Sequence, residues 1–353
     1  MNPHSSRIPI SFSEHQRGTT LIELMVSLTI GLIILAAIGA IFLASRQSFR
    51  TQEVLSRMQE NARFAFELID RDIRMTGFSG YASCTASQCN DVTNTATTWW
   101  NHKLLTQPLA GYEASLPSDM TASARIAGDS FSVIRADKFN EYIVASHNTA
   151  ASPPVITLTN AHSISAGQLV IISNASNTSI FQASAVNQSS KTITHADGGS
   201  SPGNCTAELG TVPANCSSTG SVITYPANSS VFEFSANTYY IGSNPAGEPS
   251  LYRESYSGTA QELVEGVEDM QISYGVDTSA TADQNIDGYV AANAVTDWSK
   301  VLGIRISLLM VSRSEELGVS GQQTYTFNGS SYTSSDTKLR KVFTTTIAIR
   351  NRL

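Results

Sequence analysis

From Leu24 to Ala44 the chain runs 21 residues without a charge, and no other feature constrains its fold as much. At 1.5 Å per residue the run makes a rod of about 31 Å, enough to cross a bilayer core. One carboxylate, Glu23, stands at its edge, in the stretch QRGTTLIELMVSLTIGLIILAAIG (16–39). A charge beside hydrocarbon is costly and needs a reason. A secretory signal peptide fits badly. Its apolar part spans ~7–15 residues and closes on a small-x-small cleavage site. Here a polar leader comes first, and the apolar run is longer.

The helical pattern continues past Ala44. The chain reads SRQSFRTQEVLSRMQENARFAFELIDRDIRMTG, with no Pro or Gly before Gly77. Leu55, Met58, Ala62, Ala65, Ile69 and Ile73 recur at steps of three and four, which marks one apolar face. Arg57, Glu60, Arg63, Glu67, Arg71 and Asp72 fall largely on the other faces. Residues 19–76 therefore read as one helix of about 85 Å, apolar over 19–45 and amphipathic over 46–76. Ala36, Ala40 and Ala44 form a small-residue row that lets neighbouring helices approach closely.

Four cysteines fall as two local pairs, Cys84/Cys89 and Cys205/Cys216. An even, paired count fits two disulfides in an oxidising compartment, with free thiols as the alternative. The spacings are not those of zinc knuckles. The cysteines thus place the C-terminal part outside the cytoplasm. The net charge is -7, and residues 1–18 carry Arg7, Arg17 and Glu14. An acidic head argues against direct nucleic-acid binding, which needs clustered Lys and Arg.

Arg17-Gly18 followed by TTLIELMVSLTIGLIILAAI resembles the class III leader and N-terminal helix of type IV pilins and pseudopilins. The resemblance implies cleavage after Gly18 by a prepilin peptidase and N-methylation of Thr19. Thr19 departs from the family's usual Phe. Glu23 becomes the fifth residue of the mature chain, a position the family gives to glutamate. Cleavage creates the Thr19 α-amine, and the amine of a neighbouring subunit would pair with Glu23 and set an axial register. The blocks ELIDRDIRMTGFSGY (67–81), YYIGSNPAGEPSLYRE (239–254), LVEGVEDMQISYGVD (263–277), VLGIRISLLMVS (301–312) and VFTTTIAIRNR (342–352) resemble PilW-type minor pilins. This narrower resemblance implies a non-enzymatic assembly subunit, held in the inner membrane with a periplasmic head and later found at the pilus tip. Its implied partners are other minor pilins, the major pilin, a PilY-type tip adhesin and the inner-membrane assembly platform. A type II secretion pseudopilin is the nearest alternative, and a pilus-associated DNA receptor a further one.

The expected fold is α+β and type IV pilin-like: a long N-terminal helix packed on an antiparallel β-sheet head with a β-rich insertion. Residues 1–18 are the leader and 77–353 the head, with a polar, Ser/Thr/Asn-rich elaboration over about 140–225. FSVIR (131–135), EYIVAS (141–146), VITLT (155–159), LVIIS (169–173), SVITY (221–225) and VFEFSANTYYI (231–241) read as strands. Alternation over 304–311 and 343–349 marks two more. Asn328-Gly329 in TYTFNGSSYT marks a hairpin turn.

Two motifs point to chemistry. Asp283, Asn285 and Asp287 in DQNIDG match the start of a calcium loop, whose alternating oxygens converge on a hard cation. Ala294 stands where the bidentate Glu belongs, which excludes a full EF-hand; Asp277 and Asp297 could complete another cage, and a polar turn is the plain alternative. Apart from calcium no cofactor is expected. GSSPG (199–203) matches the GxSxG elbow formally, but both flanks read as loop rather than strand and helix. The six histidines are scattered and suggest no ligand cluster.

Overall fold

The computed structural model describes residues 20–81, 88–94, 98–120, 125–199, 201–210, 221–279, 281, 283–313 and 322–350. The chain divides into two compact units, Met1–Glu53 and Val54–Leu353. Helix α1 spans Leu21–Arg74. The strands that follow are β1 (Cys89–Asp91), β2 (Leu109–Tyr112), β3 (Arg125–Asn148), β4 (Val155–Leu158), β5 (Leu169–Ser173) and β6 (Thr178–Gln182). Next come β7 (Ala185–Asn187), β8 (Thr192–Thr194), β9 (Ser230–Ser243), β10 (Pro249–Ser255), β11 (Ala260–Glu265) and β12 (Val267–Val276). The last are β13 (Gly288–Val290), β14 (Val301–Val311), β15 (Thr324–Phe327), β16 (Ser330–Thr333) and β17 (Arg340–Ala348). This is the α+β, pilin-like fold: one long N-terminal helix and a head built mostly of antiparallel sheet.

The head holds two main sheets. Eleven strands share one, along the path β1-β6-β5-β9-β3-β4-β8-β7, with β10, β11 and β2 attached off it. The other is β13-β12-β14-β17. One pair departs from the expected antiparallel pattern: β1 runs parallel to β6. The small β15–β16 hairpin turns through Asn328 and Gly329, both at positive φ, as the Asn-Gly pair predicts.

The amphipathic stretch of α1 supplies one wall of the main core. Val54, Met58, Ala62, Ala65, Ile69 and Ile73 are buried there with Met270, Ile304, Ile306, Leu308 and Ile347 of the four-stranded sheet. Each Ile or Met buried so contributes about 1.5–3 kcal/mol. Val54 is buried where the periodicity nominates Leu55, which is half-buried beside it. The polar insertion has its own core, with Val144, Ile156, Val170, Phe181, Ile193 and Val231.

Strand β9 joins these cores, and its alternation shows how. Phe232, Phe234 and Ala236 face a third cluster with Trp100 and Leu104. On the opposite face Val231 enters the insertion core, while Tyr239 and Ile241 enter the helix core. Between them come Glu233, Ser235 and Asn237, and two of these are polar nodes. Glu233 accepts from Tyr142 Oη, Ser163 Oγ and Gln168 Nε2 at 3.2, 2.9 and 3.0 Å.

Two strand expectations need correction. FSVIR and EYIVAS are one strand, β3, whose pairing with β9 shifts register between Asp137 and Glu141. SVITY (221–225) is not a strand. The Tyr225 N–H donates to His147 Nδ1 at 3.1 Å, and its hydroxyl bonds Ser179 Oγ at 2.8 Å. An amide taken by a side chain cannot join a ladder.

Candidate assembly site

Thr20 directly precedes α1. The Glu23 N–H donates to the Thr20 carbonyl (3.0 Å) and to Thr20 Oγ1 (3.4 Å). Thr20-Leu21-Ile22-Glu23 is thus the T-x-x-E pattern of a capping box, with Glu23 at the third helical position. A carboxylate there also opposes the positive end of the helix dipole. That local role was legible in the sequence and is missed when Glu23 is read only as a membrane anomaly. Gly18 and Thr19 lie outside the described residues.

Every large apolar side chain from Leu21 to Leu43 is exposed, Leu21 by 79% and Phe42 by 64%. The helix is long and apolar enough to cross a membrane. An exposed apolar surface of this extent marks a segment meant for lipid or for other proteins.

At its other end α1 is locked by charge. Asp72, placed on a polar face by the periodicity, is 2% exposed. Its Oδ1 accepts from Arg135 Nη2 (2.9 Å) and Nε (3.2 Å) on β3. Its Oδ2 accepts from Tyr239 Oη (2.7 Å) and Asn237 Nδ2 (2.9 Å) on β9. Arg135 also reaches Asp137 Oδ1 at 3.1 Å. Burial acts to lower the Arg135 guanidinium pKa, but the charges of Asp72 and Asp137 overcome it and hold the group above its ordinary value. Burial first, then the Asp72 charge, pushes the Tyr239 phenol well up, so it stays a donor. Arg71, one residue earlier, lies over the Phe139 ring at 4.3 Å. Beyond the helix Gly77 N–H donates to the Ile134 carbonyl, and Ala136 N–H to that of Phe78. The segment 70–78 is therefore fastened to β3 by backbone and side chain alike.

The family described as Type IV Pilus-assembly protein W matches residues 238–351, and the prokaryotic N-terminal methylation motif matches residues 15–39. The chain thus carries a prepilin motif at one end and a PilW-like region at the other. No curated protein and no solved structure matches it. The prepilin motif and the apolar helix anchor the chain in the inner membrane as a pilin. Pilus assembly is a structural task rather than a catalytic one. The W match begins inside β9 and leaves the insertion outside it.

The remaining sequence sites of the head can now be placed. Cys89 and Cys205 are each disulfide-bonded. Cys84 and Cys216 lie outside the described residues, so the local pairing stays a proposal. GSSPG (199–203) lies in loop on both sides, with Ser200 outside the described residues. The calcium candidates sit between β12 and β13. Asp287 Oδ2 accepts from Thr278 N–H (2.7 Å) and Thr278 Oγ1 (2.9 Å), which lower its pKa. Asp283 Oδ1 accepts from Asn285 N–H at 3.0 Å, and Asp277 Oδ2 from the N–H groups of Asp283 and Gln284. Asp297 caps a short turn through Ser299 N–H. These oxygens are engaged as in a polar turn, and among the described residues no three His, Cys, Asp or Glu side chains are grouped to hold a metal.

The fold brings together two histidines that the sequence leaves 48 positions apart. His147 Nε2 and His195 Nε2 are 2.9 Å apart. His147 Nδ1 accepts from Tyr225 N–H, so its Nε2 carries the proton and donates to His195; His195 Nδ1–H then donates to the Ala207 carbonyl at 2.7 Å. That chain works only with both rings neutral. Burial lowers each pKa to about 4, with the His147 charge adding to the effect at His195. The unfolded chain binds these protons near pH 6.5 and the folded head does not, so the stabilisation is full above pH 6.5 and is lost as pH falls towards 4. We expect each ring to remove about 2–3 kcal/mol over that window, and the pair on the order of 5 kcal/mol. Urea unfolding between pH 7 and 4 reads it, and His195→Gln should flatten the acid slope.

Proposed function

We propose that this PilW-type minor pilin helps to start pilus assembly and stays at or near the pilus tip. The observation that carries the reading is that one chain joins a prepilin methylation motif to a W-type head. The first equips it to enter a helical filament core, and the second distinguishes it from a secretion pseudopilin. Its contacts are other pilus components and the peptidase that cuts its leader; the specific partners proposed are the other minor pilins, the major pilin and a PilY-type adhesin. Within the filament Glu23 pairs with the Thr19 amine of a neighbour. Local disulfides, Cys84–Cys89 and Cys205–Cys216, brace the head, and peptide mass mapping without reduction tests them. Calcium at Asp283, Asn285 and Asp287 would have to displace turn hydrogen bonds; calorimetry with calcium, against Asp287→Ala, decides that point.

Deleting the gene tests the main reading. Surface pili should fall sharply, and the full-length chain should co-purify from membranes with the other minor pilins. Immunogold label should sit at pilus ends. Label distributed along the shaft, or normal piliation without the chain, overturns the initiation and tip role.

A further inference from the structure

Two of the chain's three tryptophans, Trp99 and Trp298, line one open cleft of about 420 Å³ in the head. Sequence places them 199 positions apart; the fold sets both on the same wall system with Thr98, Lys103, Gln107 and Asp119. Trp298 is braced edge-on against the buried Tyr274 ring, with 4.9 Å between centroids. Asp119 Oδ2 accepts from the Trp99 N–H at 2.8 Å, which ties the two sides of the mouth. Gly111 forms part of the lining, and only glycine fits there: a Cβ would lie 2.0 Å from the Tyr274 hydroxyl. The third tryptophan, Trp100, is spent on the core behind.

We propose that this cleft is a binding site for a neutral saccharide. Its volume lies at the lower end of the roughly 300–1,000 Å³ range of small-molecule sites, room for a sugar ring and part of its neighbour. The electron-rich faces of indole rings attract the slightly positive C–H face of a sugar. Around them stand groups suited to hydroxyls: the Gln107 amide donates and accepts, Lys103 donates, Asp119 accepts. One cation and one anion in the same mouth favour neither an anionic nor a cationic ligand. The polar rim disfavours a purely apolar one. The site goes beyond the assembly role and does not depend on where in the pilus the chain sits.

The test uses the full chain purified in an amine-oxide detergent, whose head group carries no sugar to compete. Maltose, lactose, cellobiose and diacetylchitobiose are titrated in turn, with inorganic phosphate and a heparin disaccharide as charged controls. Binding is read by saturation-transfer NMR on the sugar protons and by tryptophan quenching. At least one neutral disaccharide should bind in the millimolar range or tighter. Trp99→Ala should weaken it by about tenfold or more. Gln107→Ala should weaken it too while leaving the urea midpoint unchanged, because the Gln107 side chain makes no hydrogen bond among the described residues. Failure of all four neutral sugars, stronger binding of either charged control, or binding that survives both substitutions overturns the proposal.

Discussion

Asp72→Ala should cost the head about 3–5 kcal/mol, the largest single loss of stability open to a polar substitution here. The reason is what the change leaves behind. Among the described residues Arg135, 3% exposed, keeps the partly open Asp137 as its one ionic partner, and Tyr239 and Asn237 lose their acceptor. A buried cation with half its partners removed pays its desolvation without return. Arg135→Met is expected to cost less, because Tyr239 and Asn237 still donate to the carboxylate. The double variant should lose less than the two single losses summed, with a coupling of about 1–3 kcal/mol. Urea unfolding of the detergent-solubilised chain, followed by tryptophan fluorescence, measures all three. A loss under about 1 kcal/mol for Asp72→Ala would mean that the network is a surface-grade pair despite its burial.

The same residue marks where sequence reading stops. The amphipathic stretch of the helix is legible because its apolar period runs unbroken by Pro or Gly from Ala44 to Thr76, and the buried face matches it at Met58, Ala62, Ala65, Ile69 and Ile73. The β15–β16 hairpin is legible because two adjacent residues determine its turn. Asp72 is different. Its partners lie 63, 165 and 167 positions away, and no local pattern connects them. The helical period instead puts Asp72 with the solvent-facing charges. The strand expectation at SVITY fails for a related reason: Tyr225 is buried core and Ile223 packs against it, but Val222 is exposed, and the Tyr225 amide is held by His147 rather than by a neighbouring strand. The Trp99–Trp298 cleft is hidden in the same way. Local chemistry is written in the sequence; convergence across β2, β3 and β9 is not.

Glu23→Gln should leave the chain inserted and its leader cut, yet reduce its entry into pili by about a hundredfold or more. The choice of Gln matters because two roles overlap at this residue. At the third helical position of a T-x-x-E pattern, a Glu side chain can reach back to the first amide of the helix start, and Gln can do the same. As an anion it would balance the Thr19 amine of the next subunit, and Gln cannot. Removing one partner of a desolvated pair costs about 3–5 kcal/mol, and each 1.4 kcal/mol is tenfold in an equilibrium. Glu23→Ala removes both functions, and the gap between Ala and Gln isolates the side chain's part in the helix start, about 0.3–1.5 kcal/mol. Glu23→Lys sets two cations together and should do worst. The readouts are leader cleavage by gel shift, membrane fractionation, and the amount of the chain in sheared pili. If Gln matches wild type while Ala fails, the carboxylate is there for the helix end and the pairing idea is wrong. If Gln fails with Ala, the charge itself directs assembly, and the 21 uncharged residues behind it, Leu24 to Ala44, are the surface along which neighbouring helices are registered.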